Sequence, residues 1–181
     1  MNRPANKKDE KYWAILNAAI SLDIRVGHQK WAMTQLSRQS RVSRTLIYYY
    51  LGKSKLGILL EAVNLFGSEF AGVTPERTAM WKEGRIGESI VMSRELLVRI
   101  PWLIPFYSLN RDQDNELGKA IKAKEELFKK KLKSFFPHLS RNQIDGLFAG
   151  FWGLVFAPGL NAQSVHSLVE TLVSSAPNGQ K

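Results

Sequence analysis

The chain has 181 residues, 44% apolar and 23% charged, which suits a folded protein of one domain or two small ones. Lys and Arg number 26 against 16 Asp and Glu, and the resulting +10 favours a polyanionic partner, either nucleic acid or an anionic membrane surface. Cysteine is absent, which excludes disulfides, thiol catalysis and Cys-ligated metal sites, and no unbroken apolar run reaches the ~18 residues of a membrane span.

Helical signals recur along the chain, and alternating strand patterns with hairpin turns do not. From Asp9 to Arg25, Tyr12, Leu16, Ala19 and Ile20 fall on one helical stripe, and Gly27 closes it. A short helix is expected over Met33–Ser40, then a turn at Arg41-Val42, then a second short helix over Arg44–Tyr50 capped by Ser43. Gly52 breaks that helix, and Ser54 caps a fourth running to about Ala71. Gly72-Val73-Thr74-Pro75 reads as the domain boundary. Beyond it the pattern predicts helices over about 83–99, 113–136, 141–156 and 162–175, with a short or kinked piece between Pro101 and Pro105. The tails 1–8 and 176–181 are expected to be disordered. The fold class is therefore all-α, with an N-terminal unit over 9–71 and a helical C-terminal unit over 75–176.

The charge is uneven. Residues 1–60 hold 11 basic and 3 acidic side chains, so +8, and residues 61–181 hold 15 and 13, so +2. The basic third contains the segment 32–51, AMTQLSRQSRVSRTLIYYYL. In it Leu36, Val42 and Ile47 can lock two short helices, Ser37 is small enough to sit where they touch, and Arg41 occupies the turn. A second helix so placed exposes Arg44, Thr45, Tyr48 and Tyr49, and the major groove of DNA, about 12 Å wide, admits such a helix. Arg44 suits guanine O6 and N7, and Thr45 a thymine methyl or a polar base edge. Hydroxyls on Thr34, Ser43, Tyr48 and Tyr49 suit phosphate oxygens, as do Lys53 and Lys55 near the start of the fourth helix. Tyr50, by its helical spacing, is expected to point inward, and Trp31 is expected to pack rather than react.

The stretch Tyr12–Val63 resembles the N-terminal domain of the tetracycline-repressor-like (TetR) family of bacterial transcription regulators. The resemblance rests on Gly27, Leu36-Ser37, Val42-Ser43-Arg44, Ile47-Tyr48-Tyr49-Tyr50-Leu51, Ser54-Lys55 and Leu59-Leu60-Glu61-Ala62-Val63, in that order and spacing. It implies a helix-turn-helix head, a variable helical body that binds effectors, and a dimer built on the last two long helices. Three positions depart from the family pattern. Ser37 stands where Ala is common, Arg41 where Gly is common, and Ala32 where a Thr or Ser usually caps the second helix. The loop 51–55 is one residue longer than the common form, which leaves the phosphate contact open between Lys53 and Lys55.

In the body, aromatic residues cluster beyond residue 100. Trp102, Phe106, Tyr107, Phe151 and Trp152 are the candidates to line a pocket for a small apolar effector, against the alternative of ordinary helical core. The glycine-rich apolar run 146–154 is either buried or pressed on a partner, and by the resemblance 141–157 and 162–175 are the expected homodimer surface. The run Lys129-Lys130-Lys131 with Lys133 is expected to be a solvated helix face.

Enzymatic signals are weak. His28, His138 and His166 are far apart, and the HExxH, GxSxG, P-loop and GxGxxG patterns are absent. No catalytic residue, metal or cofactor is expected. The chain reads as a sequence-specific regulator of double-stranded DNA, a repressor acting as a homodimer on a palindromic operator. The polar N-terminus lacks a signal peptide's apolar stretch, so a cytoplasmic location without membrane attachment is expected. The alternative is a basic membrane-surface or protein-interaction module built on the Lys-rich helix 119–136.

Overall fold

The structure, a computed structural model, describes residues 7–175, with side chains described over 10–174. It is all-helical, with no strand among the described residues. In chain order the helices are α1 (Lys7–Val26), α2 (Met33–Ser40), α3 (Arg44–Leu51), α4 (Lys55–Phe70), α5 (Pro75–Lys82), α6 (Ile86–Arg99), α7 (Leu103–Asn110), α8 (Glu116–Phe135), α9 (Arg141–Phe156) and α10 (Ala162–Ser175). Lys7 and Lys8, expected in a disordered tail, belong to α1, and the rest of both expected tails lies outside the described residues.

Two helices depart from the reading of the sequence. Residues 75–82, left without an element, form α5, because Thr74 Oγ1 accepts from Arg77 N at 3.4 Å and Pro75 occupies the first turn, where its missing N–H has no role. Pro105 does not confine α7 to a kinked fragment. It stands in the helix's first turn, where an N–H would have no intrahelical acceptor, and α7 continues to Asn110.

Two compact units share the chain. The first takes the described residues up to Leu65 together with Ile100–Ile121, and the second takes Phe66–Arg99 and the residues from Lys122 onward. The segment 72–75 thus lies inside the second unit, and α7 packs on α1 within the first. In the first unit Ile15, Leu16, Ala19, Ile20, Trp31, Leu36, Ile47, Leu59 and Ala62 are fully buried. Tyr12 ties α1 to α4 by donating its hydroxyl to Glu61 Oε1 at 2.6 Å. Burial, and next the Glu61 carboxylate, hold the Tyr12 phenol protonated well above its usual range.

The core of the second unit is aromatic. Trp81 meets Phe128, Phe135 and Phe151 with ring centroids 6.1, 5.3 and 5.4 Å apart. Arg94 of α6 satisfies the otherwise orphaned end of α9, donating to the carbonyls of Leu154 at 2.5 Å and Val155 at 3.2 Å, and it reaches Leu160 O in the loop beyond at 3.0 Å. Gly87 lets α6 and α10 approach, since a Cβ there would collide with the His166 ring.

By averaged composition Lys55–Lys82 is long and apolar enough to cross a membrane, although no unbroken apolar run is. The stretch is interrupted between α4 and α5 at 71–74, and 44% of its most apolar window is buried in the protein.

Candidate nucleic-acid interface

The segment 32–51 forms two eight-residue helices, α2 and α3, around a turn of three residues. Leu36 and Ile47 are fully buried and Val42 is 5% exposed, so the three expected apolar positions do lie in the core. The turn is held by hydroxyls. Ser37 Oγ donates to Val42 O at 2.7 Å, Ser40 Oγ donates to Leu36 O at 2.7 Å, and Val42 N donates to Ser40 Oγ at 3.4 Å. Ser37 therefore supplies a hydrogen bond across the turn that an alanine would lack. Arg41 adopts φ 56 and ψ 29, the left-handed conformation that glycine takes without strain. The turn takes a glycine-type geometry with an arginine in it, at a cost of about 1 kcal/mol.

Both helices start as their first residues dictate. Ser43 caps α3, accepting from Leu46 N at 3.3 Å. Ala32 has no side chain to cap α2, and helix entry is secured from the other side, by Ala32 N donating to Gln35 Oε1 at 2.6 Å. The absence of a Thr or Ser has not moved the helix start, which is Met33.

Around this turn the side chains divide cleanly. Thr34, Ser43, Arg44, Thr45 and Lys53 are exposed, Tyr49 is 80% exposed, and Tyr48 is half-buried. Tyr50 is half-buried and meets the Tyr12 ring edge-on at 6.5 Å, consistent with its inward spacing. Arg38 and Arg41 are also exposed, and the sequence reading gave neither a contact. Their signal was available, because both follow from the burial of Leu36 and Val42 beside them.

The two lysines of the 51–55 loop differ. Lys55 is half-buried, donates its ammonium to Gln29 O at 2.8 Å, and lies over the Trp31 ring at 5.6 Å. Lys53 is exposed, with its ammonium over the Tyr48 ring at 5.6 Å. Lys55 thus pins the 27–31 loop, whereas Lys53 is presented to solvent beside α3.

That loop is organised by Asp23, only 5% exposed, which accepts from Gln29 N at 2.8 Å and Trp31 Nε1 at 3.1 Å and contacts His28 Nδ1 at 3.0 Å. Trp31 is fully buried there, as packing requires. No protein-family model matches the chain, and no curated protein matches its sequence.

The five aromatic residues expected to line one effector pocket are divided between the two units. Trp102, Phe106 and Tyr107 belong to the first unit, and Phe151 and Trp152 to the second. Phe106 is 1% exposed and Phe151 fully buried, so both are core. Trp102 borders an open cleft of ≈ 260 Å³ in the first unit, with Ala14, Asn17, Ser21, Gln39 and Ser40. Tyr107 is half-buried and accepts from Arg111 Nε at 3.1 Å through its hydroxyl. Trp152 stacks on Phe148 at 5.3 Å and meets Phe156 edge-on at 4.9 Å.

The lysine run of α8 departs from expectation in part. Lys130 and Lys133 are exposed, Lys133 also donating to Pro137 O at 2.9 Å and Leu139 O at 2.5 Å, whereas Lys129 is half-buried and held by Asp145 at 2.8 Å. Lys131 is 8% exposed, bonded to Gly72 O and lying over the Trp81 ring at 3.9 Å. The correction has a geometric cause. Phe128, Lys131, Leu132 and Phe135 fall at spacings of three and four, so position 131 lies on the buried stripe whatever its charge.

Proposed function

We propose that the chain is a sequence-specific regulator of double-stranded DNA, of the TetR kind, with α3 as its recognition helix. The observation that carries this reading is the division within 32–51. Leu36, Val42 and Ile47 are buried while Arg44 and Thr45 in the first turn and Tyr49 one turn later in the same short capped helix face solvent. Arg44 reads a guanine edge, Thr45 a neighbouring base, and Thr34, Ser43, Tyr48, Tyr49 and Lys53 hold phosphates. Ser43 spends a lone pair on its cap bond and keeps its O–H for a phosphate oxygen. Lys55 positions the loop rather than the DNA, because its ammonium is already engaged.

Two copies are required for a palindromic operator, with recognition helices about 34–36 Å apart or a multiple of that distance. The surface of α9 and α10 supports a homodimer. Gly146, Ala149 and Gly153 are exposed along one face of α9, with open space where the two glycines would carry a Cβ, and Leu168 of α10 is 41% exposed. On this reading the protein acts in the cytoplasm as a repressor. The membrane-surface alternative is less favoured, since Lys129, Lys131 and Lys133 have intramolecular partners.

Electrophoretic mobility shift with the DNA upstream of the chain's own gene tests the proposal. A specific complex whose affinity falls steeply with salt is expected, and equal affinity for unrelated DNA of the same length overturns it.

A further inference from the structure

Among its described residues the second unit buries Arg77 and Lys131, and no carboxylate is bonded to either. Arg77 is 1% exposed. One guanidinium nitrogen, Nη2, donates to Glu69 O at 3.3 Å and to Ser93 Oγ, and its Nε and Nη1 are buried without a hydrogen-bond partner. Lys131 has the Gly72 carbonyl and the face of Trp81, neither of which cancels a full charge. Glu69 offers Arg77 its backbone oxygen rather than its carboxylate, and burial holds that carboxyl above its usual range despite Arg77's pull. Glu76 and Glu95, the other acids that act on Arg77, are exposed.

Lys131 Nζ, Ser89 Oγ and the base of the Arg77 side chain surround the hydrogen face of Gly72, a left-handed residue at φ 58. A Cβ placed there would lie 3.2 Å from Lys131 Nζ, 3.4 Å from Ser89 Oγ and 3.8 Å from Arg77 Cβ. Ser89 Oγ accepts from Trp81 Nε1 at 3.0 Å and keeps its own proton to donate. The unspent capacity is therefore donors only: Arg77 Nε and Nη1, the remaining Lys131 protons and the Ser89 hydroxyl. Water would satisfy the geometry and leave the Arg77 charge, and that of Lys131 whenever it is protonated, uncompensated in a low-dielectric setting.

We propose that this cluster binds a small oxyanion, of carboxylate or phosphate type, between Arg77, Lys131 and Ser89 beside Gly72. The ligand enters past Lys131 and takes over from the Gly72 carbonyl as that ammonium's acceptor. Its charge, not an apolar body, is what the site recognises. The site does not rest on the DNA reading and is measured without DNA.

The test is thermal unfolding of the full chain at pH 7 and constant ionic strength, with sodium phosphate or sodium acetate replacing sodium chloride. Expected is a saturable rise of several degrees with one oxyanion or both. Response to phosphate alone marks a phosphoryl ligand, and response to both marks a carboxylate-type one. Arg77→Met removes a central side chain and risks folding, so Lys131→Met and Ser89→Ala are the informative variants. Each should fold and shift the anion midpoint to roughly tenfold higher concentration or abolish it. A rise that never saturates and is identical in the wild type and both variants is solvent exclusion of the salt, and it overturns the proposal. The absence of any rise with either salt overturns it equally.

Discussion

Cationic side chains do opposite work in the two units. In the first, Arg44 and Lys53 are exposed and lie next to a buried apolar lock, so their charge is available to a partner. In the second, Arg77 and Lys131 are 1% and 8% exposed, and their charge is directed into the protein. A count of Lys and Arg treats the four alike. Exposed cations cost little to hold and bind polyanions in a salt-dependent way, whereas buried ones cost stability and shift their own protonation. The contrast recurs within the first unit, between Lys53 and Lys55, two residues apart.

The largest expected effect breaks the comparison on the buried side. Burial, followed by repulsion from Arg77, brings the Lys131 pKa down from 10.5 to about 7. Between those values the unfolded chain binds the proton and the native chain sheds it, so stability rises with pH across that window and is lowest below it. The rise attributable to this one group is on the order of 4 kcal/mol. Urea titrations between pH 7 and 10.5 should show that slope, and Lys131→Met should flatten it and raise stability at pH 7. An unchanged slope in the variant means that Lys131 is solvated in solution.

On the exposed side, if α3 reads DNA as proposed, Arg44→Ala should weaken operator binding by about 1–3 kcal/mol and relax preference at one base pair, with stability unaltered. Fluorescence anisotropy against a panel of single-base operator variants reads both changes. Uniform weakening across the panel assigns Arg44 to a phosphate instead.

The lysine pair sharpens the contrast at a smaller scale. Lys53→Ala should lower the salt slope of DNA binding by about 1 and leave unfolding unchanged. Lys55→Ala should instead lower the unfolding free energy by about 1 kcal/mol, because the Gln29 carbonyl loses its donor and Trp31 its cation. The opposite assignment of losses would place Lys55, not Lys53, at the phosphate.

The smallest effect concerns the turn. Arg41→Gly relieves the left-handed strain at φ 56 and should raise stability by about 0.5–1 kcal/mol. Its DNA affinity should fall slightly through the lost positive charge. Calorimetric unfolding checks the first and anisotropy the second. A loss of stability would mean that the Arg41 side chain itself supports the turn.

Much of this was legible in advance where the rule is local. Ser43 and Ser54 announce helix starts, Gly27 and Gly52 mark ends, and spacings of three and four give α1, α4, α6, α8, α9 and α10 their apolar stripes. Helix α5 is legible in Thr74-Pro75, a cap followed by a first-turn proline, but Gly72 beside it carries the competing signal of a boundary. In the candidate interface, the exposure of Arg44, Thr45 and Tyr49 followed from Leu36, Val42 and Ile47 being apolar at helical spacing.

Other features depend on residues far apart in sequence. The separation of Lys53 from Lys55 requires the 27–31 loop, folded by Asp23, to bring Gln29 O and Trp31 to one ammonium and not the other. The dispersal of Trp102 and Phe151 into different units follows from α7 packing on α1. The burial of Lys131 requires Gly72, fifty-nine residues away, and Trp81 to meet it. By itself the sequence determined that the chain is helical, where most helices begin and end, and which short helix carries an exposed basic start. Those outcomes follow from backbone geometry and side-chain periodicity within a few turns. Only the tertiary structure decided which of the described basic residues face solvent and which are enclosed, because the energy of a charge is set by whatever distant segments pack around it.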